Sequence, residues 1–387
     1  MTRPPISDDR YDHDMDAVMS SSKALAWLTL LRAPGLGPRR LLPLLEQVAD
    51  PEVLLASPPP NTPEKVRQAL GEADREQAKR DLEWLTESGN RLLPYTADDY
   101  PPLLRELADP PLALFLRGDA ALLGLPQIAV VGSRNASRAG LENAHRFARH
   151  LADSGLVVTS GLAAGIDSAA HRGALAAGSG TTIAVLGTGL DRVYPARNRE
   201  LAHQIAEQGL LVSEYPPGTT PLRGNFPRRN RIIAGLSLGT LVVEATLASG
   251  SLITARLAGE IGREIFAIPG SIHNPRARGC HALIRQGAKL VETGAHIVEE
   301  LVSQLGRLLP EEPMTADLDP GVSSAPDLDP DYRELLELMG WEPVSIDWLV
   351  TQSRFSAAEI SSMLLLLELQ GHVSSEPGGL FVRLGKH

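Results

Sequence analysis

The stretch QIAVVGSRNAS, residues 127–137, shows the pattern that decides the fold of this chain. It begins with a short apolar run at residues 128–131, turns at Gly132, and continues into a segment with helical spacing. A short run of almost only apolar residues is typical of a strand buried on both faces of a sheet, and glycine lets the backbone turn sharply. The stretch therefore predicts a β-strand, a tight turn and the start of a helix.

The same pattern recurs along the chain. Further apolar runs lie at residues 156–158, 183–186, 210–212, 241–243 and 265–268, and helical segments separate them. Short apolar strands that alternate with helices of ten or more residues predict a parallel, doubly wound sheet. We therefore predict an α/β fold with a Rossmann-like, mainly parallel sheet over residues 91–305.

Smaller units flank this predicted sheet. Residues 23–90 have helical spacing around Gly35-Leu36-Gly37-Pro38. This fits either a SAM-like or helix-hairpin-helix-like domain that touches phosphates through backbone N–H groups, or a plain helical hairpin. Residues 331–387 predict helices followed by a β-hairpin, as in a small winged-helix-like domain. The polar, acidic residues 1–22 predict a disordered tail, and residues 306–330 predict a linker rich in Pro, Asp, Glu and Ser.

Composition limits the classes of function. The net charge of −10 argues against nucleic-acid binding over the whole surface, but it leaves room for a local basic groove. Cys280 is the single cysteine, which excludes an intramolecular disulfide and a multi-cysteine zinc site and suits a reducing cytoplasm. The sequence has no signal-peptide pattern and no apolar stretch of the roughly 20 residues that span a bilayer. We expect a cytoplasmic protein without a membrane partner.

Ligands of a doubly wound sheet bind beyond the carboxyl ends of its strands. After the first predicted strand, Gly132, Ser133 and Arg134 precede a helix and predict a phosphate site, although a polar turn with one surface arginine is the alternative. After the second strand, Ser160 and Gly161 are small residues that leave backbone amides open to a ligand.

The segment RGNFPRRNR, residues 223–231, carries the strongest functional signal. It holds four arginines, no acidic residue and one of the six phenylalanines of the chain. Single-stranded nucleic acid needs cations for its phosphates and an aromatic ring on which an unpaired base stacks. We therefore predict that DNA contacts Arg223, Phe226, Arg229, Asn230 and Arg231. The alternative is that some of these arginines pair with the many carboxylates of the protein.

Several motifs of enzymes are absent from the sequence. It contains no Gly-x4-Gly-Lys-Ser/Thr loop for ATP, and no Gly-x-Gly-x-x-Gly follows the first predicted strand. The Gly-x-Ser-x-Gly match at residues 235–239 precedes a strand, whereas a nucleophile elbow follows one. His171, Glu244 and Cys280 are expected to be structural. We predict no catalytic residue, no cofactor and no metal.

Six sequence blocks occur in order between residues 131 and 271. They are Val-Gly-Ser-Arg at 131–134, Ser-Gly-Leu-Ala-Ala-Gly-Ile-Asp at 160–167 with Ala170-His171, Ser-Glu-Tyr-Pro at 213–216, Phe226 with Arg229-Asn230-Arg231, Glu244-Ala245 with Ser249-Gly250-Ser251, and Pro269-Gly270-Ser271. Together they resemble the signature of the DprA/Smf family.

The resemblance implies a function. It implies a homodimer that binds and protects incoming single-stranded DNA without ATP and loads RecA onto it in natural transformation. The family's DNA contacts would fall on Gly132, Ser133, Arg134 and residues 223–231. Residues 331–387 hold eight acidic and four basic residues, which argues against DNA binding by that domain. The alternative is a nucleotide-processing phosphoribohydrolase, whose Pro-Gly-Gly-x-Gly-Thr-x-x-Glu block is similar to Gly239-Thr240 with Glu244. Here the Pro-Gly-Gly is missing and Glu244 comes one position too late.

Overall fold

The protein is organised around a central β-sheet. A computed structural model describes residues 19–178, 181–308, 330–369, 372–376 and 379–384 of the chain. Within these residues the sheet has nine strands in the order β1-β2-β6-β5-β4-β3-β7-β8-β9. The first two pairings, β1 with β2 and β2 with β6, are antiparallel, and the others are parallel. The strands are β1 Asn90–Pro94, β2 Ala113–Gly118, β3 Gln127–Val131, β4 Val157–Ser160, β5 Thr182–Leu186, β6 Leu210–Ser213, β7 Gly239–Val242, β8 Glu264–Ala267 and β9 Lys289–Leu290.

The predicted fold class is confirmed. All six apolar runs identified in the sequence are strands, β3 to β8, and five of these six are buried along their whole length. The sequence analysis missed β1, β2 and β9. The first two form an antiparallel edge whose polar residues interrupt the apolar pattern, and β9 has only two residues.

Helices cover both faces of the sheet. In the sheet domain they are α6 Pro102–Arg105, α7 Arg138–Asp153, α8 Ile166–Leu175, α9 Arg199–Gln208, α10 Asn225–Leu236, α11 Ser251–Glu260, α12 Arg278–Arg285 and α13 Gly294–Leu308, with short 3-10 turns at Ala120–Gly124 and Ala196–Asn198. They are preceded by α1 Ser21–Leu31, α2 Pro38–Gln47, α3 Pro51–Ala56, α4 Glu64–Gly71 and α5 Arg75–Leu85. None of the described helices is long and apolar enough to cross a bilayer.

The N-terminal helices form one core with the edge of the sheet. Pro38 starts α2 as expected, and Gly35 takes a positive φ of 65° in the turn before it. Trp27 and Leu41 belong to the same buried cluster as Phe115 and Leu186. The apolar packing thus continues across residue 90, where the sequence predicted a domain boundary.

The winged-helix-like prediction is confirmed for the C-terminal segment. It contains α14 Pro330–Met339, α15 Ile346–Gln352 and α16 Ala357–Leu369, and a small sheet of β10 Val344–Ser345, β11 Val373–Glu376 and β12 Leu380–Arg383. Leu335, Leu349 and Leu364 form its core. The predicted tail and linker lie mostly outside the described residues, but α1 begins at Ser21 and α13 continues to Leu308, inside the ranges given to them.

Candidate nucleic-acid interface

The strand order creates a crevice at one edge of the sheet. The chain builds outward from β3 through β4, β5 and β6, and then returns to the other side of β3 with β7 and β8. At such a switch point the loops after neighbouring strands separate, and ligands bind between them. A cleft of about 510 Å³ lies here. Its lining comprises Val131, Gly132, Ser133, Arg134, Asn135, Ala163, Asp167, Arg229, Asn230, Ile233, Thr246, Ser249, Gly250, Ser251, Thr254 and Arg276.

The turn after β3 forms one wall of the cleft, as predicted. A Cβ atom at Gly132 would lie 2.6 Å from the Ile166 side chain and 2.9 Å from the Glu244 carbonyl, so only glycine fits. The N–H of Ser133 donates to that same carbonyl at 2.8 Å. Arg134 then projects as an exposed side chain. Gly132 and Ser133 therefore fix the turn that presents Arg134.

The Glu244 carboxylate holds this turn in place through Ser137. Its carboxylate accepts the backbone N–H of Ser137 at 2.9 Å and the Ser137 hydroxyl at 2.6 Å. The Ser137 oxygen in turn accepts the N–H of Gly140 at 2.9 Å and caps α7. Both carboxylate oxygens are thus engaged in the fold, which supports the expected structural role of Glu244. A hydrolase that used this carboxylate would have to break these bonds.

Arg229 lines the cleft with an almost fully buried side chain. It is only 4% exposed, and its Nη1 donates to the Val185 carbonyl at 2.7 Å. Gly161 has no side chain, which leaves the space that the guanidinium occupies. Burial lowers the pKa of Arg229 to about 10, while the nearby Asp167 charge opposes that shift. Arg229 therefore stays charged at neutral pH and supplies positive potential to the cleft.

The second loop contributes less surface than the sequence predicted. The Ser160 side chain is fully buried, and its hydroxyl donates to the Val130 carbonyl at 2.6 Å. Its side chain therefore ties β4 to β3 instead of facing a ligand, and a ligand contact through its backbone amide stays a prediction. Gly161 contributes by the absence of a side chain, which leaves space for the Arg229 guanidinium. His171, also buried, contacts the Thr182 hydroxyl, and burial lowers its pKa to about 3, as for a structural histidine.

An aromatic and cationic row lies beside the cleft. The Arg134 guanidinium carbon is 5.9 Å from the centre of the Phe226 ring, and the Tyr194 ring centre is 5.3 Å from Phe226 on a tilted plane. The Asn225 amide donates to the Gly187 carbonyl at 3.1 Å and fixes the start of α10. The sequence analysis identified Arg134 and Phe226 but missed Tyr194, which is half exposed.

The remaining arginines of residues 223–231 differ in their surroundings. Arg231 is 9% exposed and pairs with Glu214 at 2.5 Å and Asp109 at 3.7 Å. Arg228 pairs with the same two carboxylates. These contacts favour the alternative of internal ion pairs for both residues. Arg223 is exposed in the turn before α10, and Asn230 lines the cleft.

The opposite wall contains residues that the sequence analysis did not propose as ligands. Thr246, Ser249 and Ser251 follow β7, and Arg276 follows β8. Their position after two strands of the sheet was the available signal, since the carboxyl ends of parallel strands meet at one edge. Cys280 lies near this wall but is buried, and burial raises its pKa to about 12, as expected for a packing thiol.

Comparison with known proteins assigns the sheet domain to a family. Residues 91–302 match the family model of DNA recombination-mediator protein A. The chain belongs to this family. Residues 320–379 match the DprA winged helix domain, which agrees with the C-terminal fold. The resemblance to the DprA/Smf family inferred from the sequence blocks is thereby confirmed.

Individual relatives of the DprA/Smf family support the assignment. The chain is 45% identical to Protein Smf of Escherichia coli K12 over 311 residues, which cover 80% of this chain and 82% of that protein. The X-ray structure of DNA processing protein A (DprA) from Streptococcus pneumoniae has a TM-score of 0.63 and 40% identity, and it covers 73% of this chain and 98% of that one. A DprA structure from Helicobacter pylori, described for its single-stranded DNA binding mode, has a TM-score of 0.50 and 31% identity over 54% of this chain and 95% of its own.

Proposed function

We propose that this DprA-family protein binds single-stranded DNA along the switch-point cleft. The observation that carries the proposal is the exposed Arg134 guanidinium beside the Phe226 ring at the cleft. One strand can place a phosphate on the cation and the neighbouring base on the ring. Duplex DNA offers phosphates but keeps its bases stacked inside.

The proposed phosphate site combines a cation that contacts the DNA with a buried cation that acts through its charge. Arg134 is exposed and reaches the backbone, whereas the buried Arg229 adds charge from below. Gly132 and Ser133 hold the turn, and Asn230 lines the cleft. Arg223 is exposed in the turn before α10, where it can contact the DNA strand. Because Arg231 is already paired with Glu214, we assign it a structural role in this site.

The wider role in the proposal follows the family. We infer that the protein takes part in natural transformation as a homodimer, protects incoming single strands and passes them to RecA. We also infer that it acts without ATP and without a covalent reaction. The support is the family membership, the H. pylori DprA structure described for single-stranded DNA binding, and a sequence without a P-loop.

A titration with matched oligonucleotides tests the binding proposal. We expect higher affinity for single-stranded than for duplex DNA at equal salt, and an affinity that falls as salt rises, because phosphate contacts release counterions. Fluorescence anisotropy at several salt concentrations measures both effects. Equal affinity for the two forms would contradict the proposal, and release of the DNA by free mononucleotide would instead favour a nucleotide-processing enzyme.

The acidic C-terminal domain provides a second prediction. Helix α16 has no lysine or arginine, whereas a winged helix that binds DNA normally uses a basic recognition helix. Deletion of residues 331–387 should therefore leave the affinity for single-stranded DNA within a few-fold of the full-length value. The same anisotropy titration measures it, with Arg134→Ala in the full chain as the control for lost binding. A hundredfold loss on deletion would show that this domain contacts the DNA.

A further inference from the structure

The wall of the cleft after β8 carries an arginine that the proposed function has not yet used. Arg276 lies in the loop before α12 and lines the cleft together with Arg134. Its backbone is fixed on both sides. The Arg276 carbonyl accepts the N–H of Ala245 at 2.7 Å, and its own N–H donates to the Asn274 side chain at 2.9 Å. The side chain thus starts from a well-defined position.

The Arg276 side chain reaches across the crevice to the turn after β3. Its Nε donates to the Asn135 carbonyl at 3.1 Å. This bond orients the guanidinium but uses only one of its five N–H groups. The two terminal nitrogens keep four N–H groups, which form a fork that suits the oxygens of a phosphate.

Arg276 differs from the structural arginines of α10 in its charge partners. In the part of the chain that the structure describes, Arg228 and Arg231 are paired with Glu214 and Asp109, but no ion pair joins Arg276 to a carboxylate. Since an unpaired cation in a cleft attracts an anion, the difference separates Arg276 from the structural arginines.

Arg134 and Arg276 stand on opposite sides of the same turn. Arg134 is directed to Phe226 on the α10 side, and Arg276 meets Asn135, the next residue of the turn, from the β8 side. We propose that Arg276 is a second contact to the DNA backbone, so that one strand crosses the turn and binds a phosphate on each side of it. This inference rests on the proposed binding of single-stranded DNA.

Substitution of Arg276 tests the inference. We expect Arg276→Ala to weaken binding of single-stranded DNA about tenfold and to flatten its salt dependence by about 0.7 in log–log slope, the value for one phosphate contact on a single strand. Arg276→Lys keeps the charge and should retain most of the salt slope. Arg278→Ala is the matched control, because it removes an equal charge two residues away at the exposed start of α12.

The outcomes separate a backbone contact from a structural role. A loss of affinity by Arg276→Ala with an unchanged salt slope would mean that Arg276 only positions the Asn135 turn, and would overturn the inference. Equal effects of Arg276→Ala and Arg278→Ala would overturn it as well. If the wild type fails to bind single-stranded DNA, the proposed function fails. If the wild type binds and only Arg134→Ala flattens the slope, only the inference about Arg276 fails. Thermal melting checks that every variant is folded.

Discussion

Replacement of Arg231 by alanine is expected to lower the free energy of unfolding by about 3 kcal/mol, because it leaves the buried Glu214 carboxylate without its main partner. Glu214 has a side chain that is only 8% exposed, and its carboxylate lies 2.5 Å from Arg231. Removal of one partner of a buried ion pair typically costs about 3–5 kcal/mol. Arg228 lies 3.4 Å from the same carboxylate and will offset part of the loss, so we expect the lower end of that range.

An exposed ion pair supplies the control for this prediction. Arg256 and Glu260 face each other one turn apart on α11, with side chains that are 70% and 58% exposed. Arg256→Ala also removes one arginine from an ion pair but should change stability by less than about 0.5 kcal/mol. Urea unfolding followed by circular dichroism measures both variants. Equal stability of the two variants would contradict the role of Arg231 as a buried structural cation.

The same Arg231 variant also distinguishes the DNA contact that the sequence predicted for Arg231 from a structural role. Below its melting temperature, folded Arg231→Ala should bind single-stranded DNA with nearly the wild-type affinity and salt slope. A folded variant that binds tenfold more weakly with a flatter salt slope would instead support the direct DNA contact that the sequence predicted. The two measurements therefore keep stability and binding apart.

The sequence predicted the centre of the fold well and its edge poorly. The strands β3 to β7 lie inside the sheet, where both faces are covered and the residues become almost uniformly apolar. The edge strand β1 needs no such pattern, and it begins with Asn90 and Arg91 and ends with Pro94. Its assignment depends on its antiparallel pairing with β2, which only the folded chain brings together.

The candidate site divides in a similar way. Arg134 was predictable because its position directly after a strand decides where it lies. The fates of Arg229 and Arg231 were not predictable, because they depend on Gly161 and Glu214, which other strands bring to α10. Arg276 lies in a loop where only Arg278 adds a second arginine nearby, and its proposed role rests on a contact with a turn about 140 residues earlier in the chain.

The Arg134 and Phe226 variants should weaken DNA binding through different physical effects. Arg134→Ala removes a cation that we propose to contact the DNA backbone, so affinity should fall and the salt dependence should flatten by about 0.7 in slope. Phe226→Ala removes a stacking surface but no charge. Its affinity should fall by about 1–3 kcal/mol while the salt slope stays near the wild-type value. Anisotropy titrations at four or more salt concentrations give both quantities for each variant.

Two further substitutions distinguish stacking by Phe226 from packing in the fold. The ring of Phe226 lies against the backbone of Gly187, where a Cβ would be 3.0 Å from the ring, so its loss also removes internal contacts. Phe226→Leu fills much of this space but offers no π-face, whereas Phe226→Tyr keeps the ring. If a base stacks on Phe226, the Leu variant should bind as weakly as the Ala variant, and the Tyr variant should bind like the wild type. Wild-type affinity in the Leu variant would show that Phe226 serves the fold. The DNA bases would then have to contact another surface, and the half-exposed ring of Tyr194 beside Phe226 is an aromatic candidate.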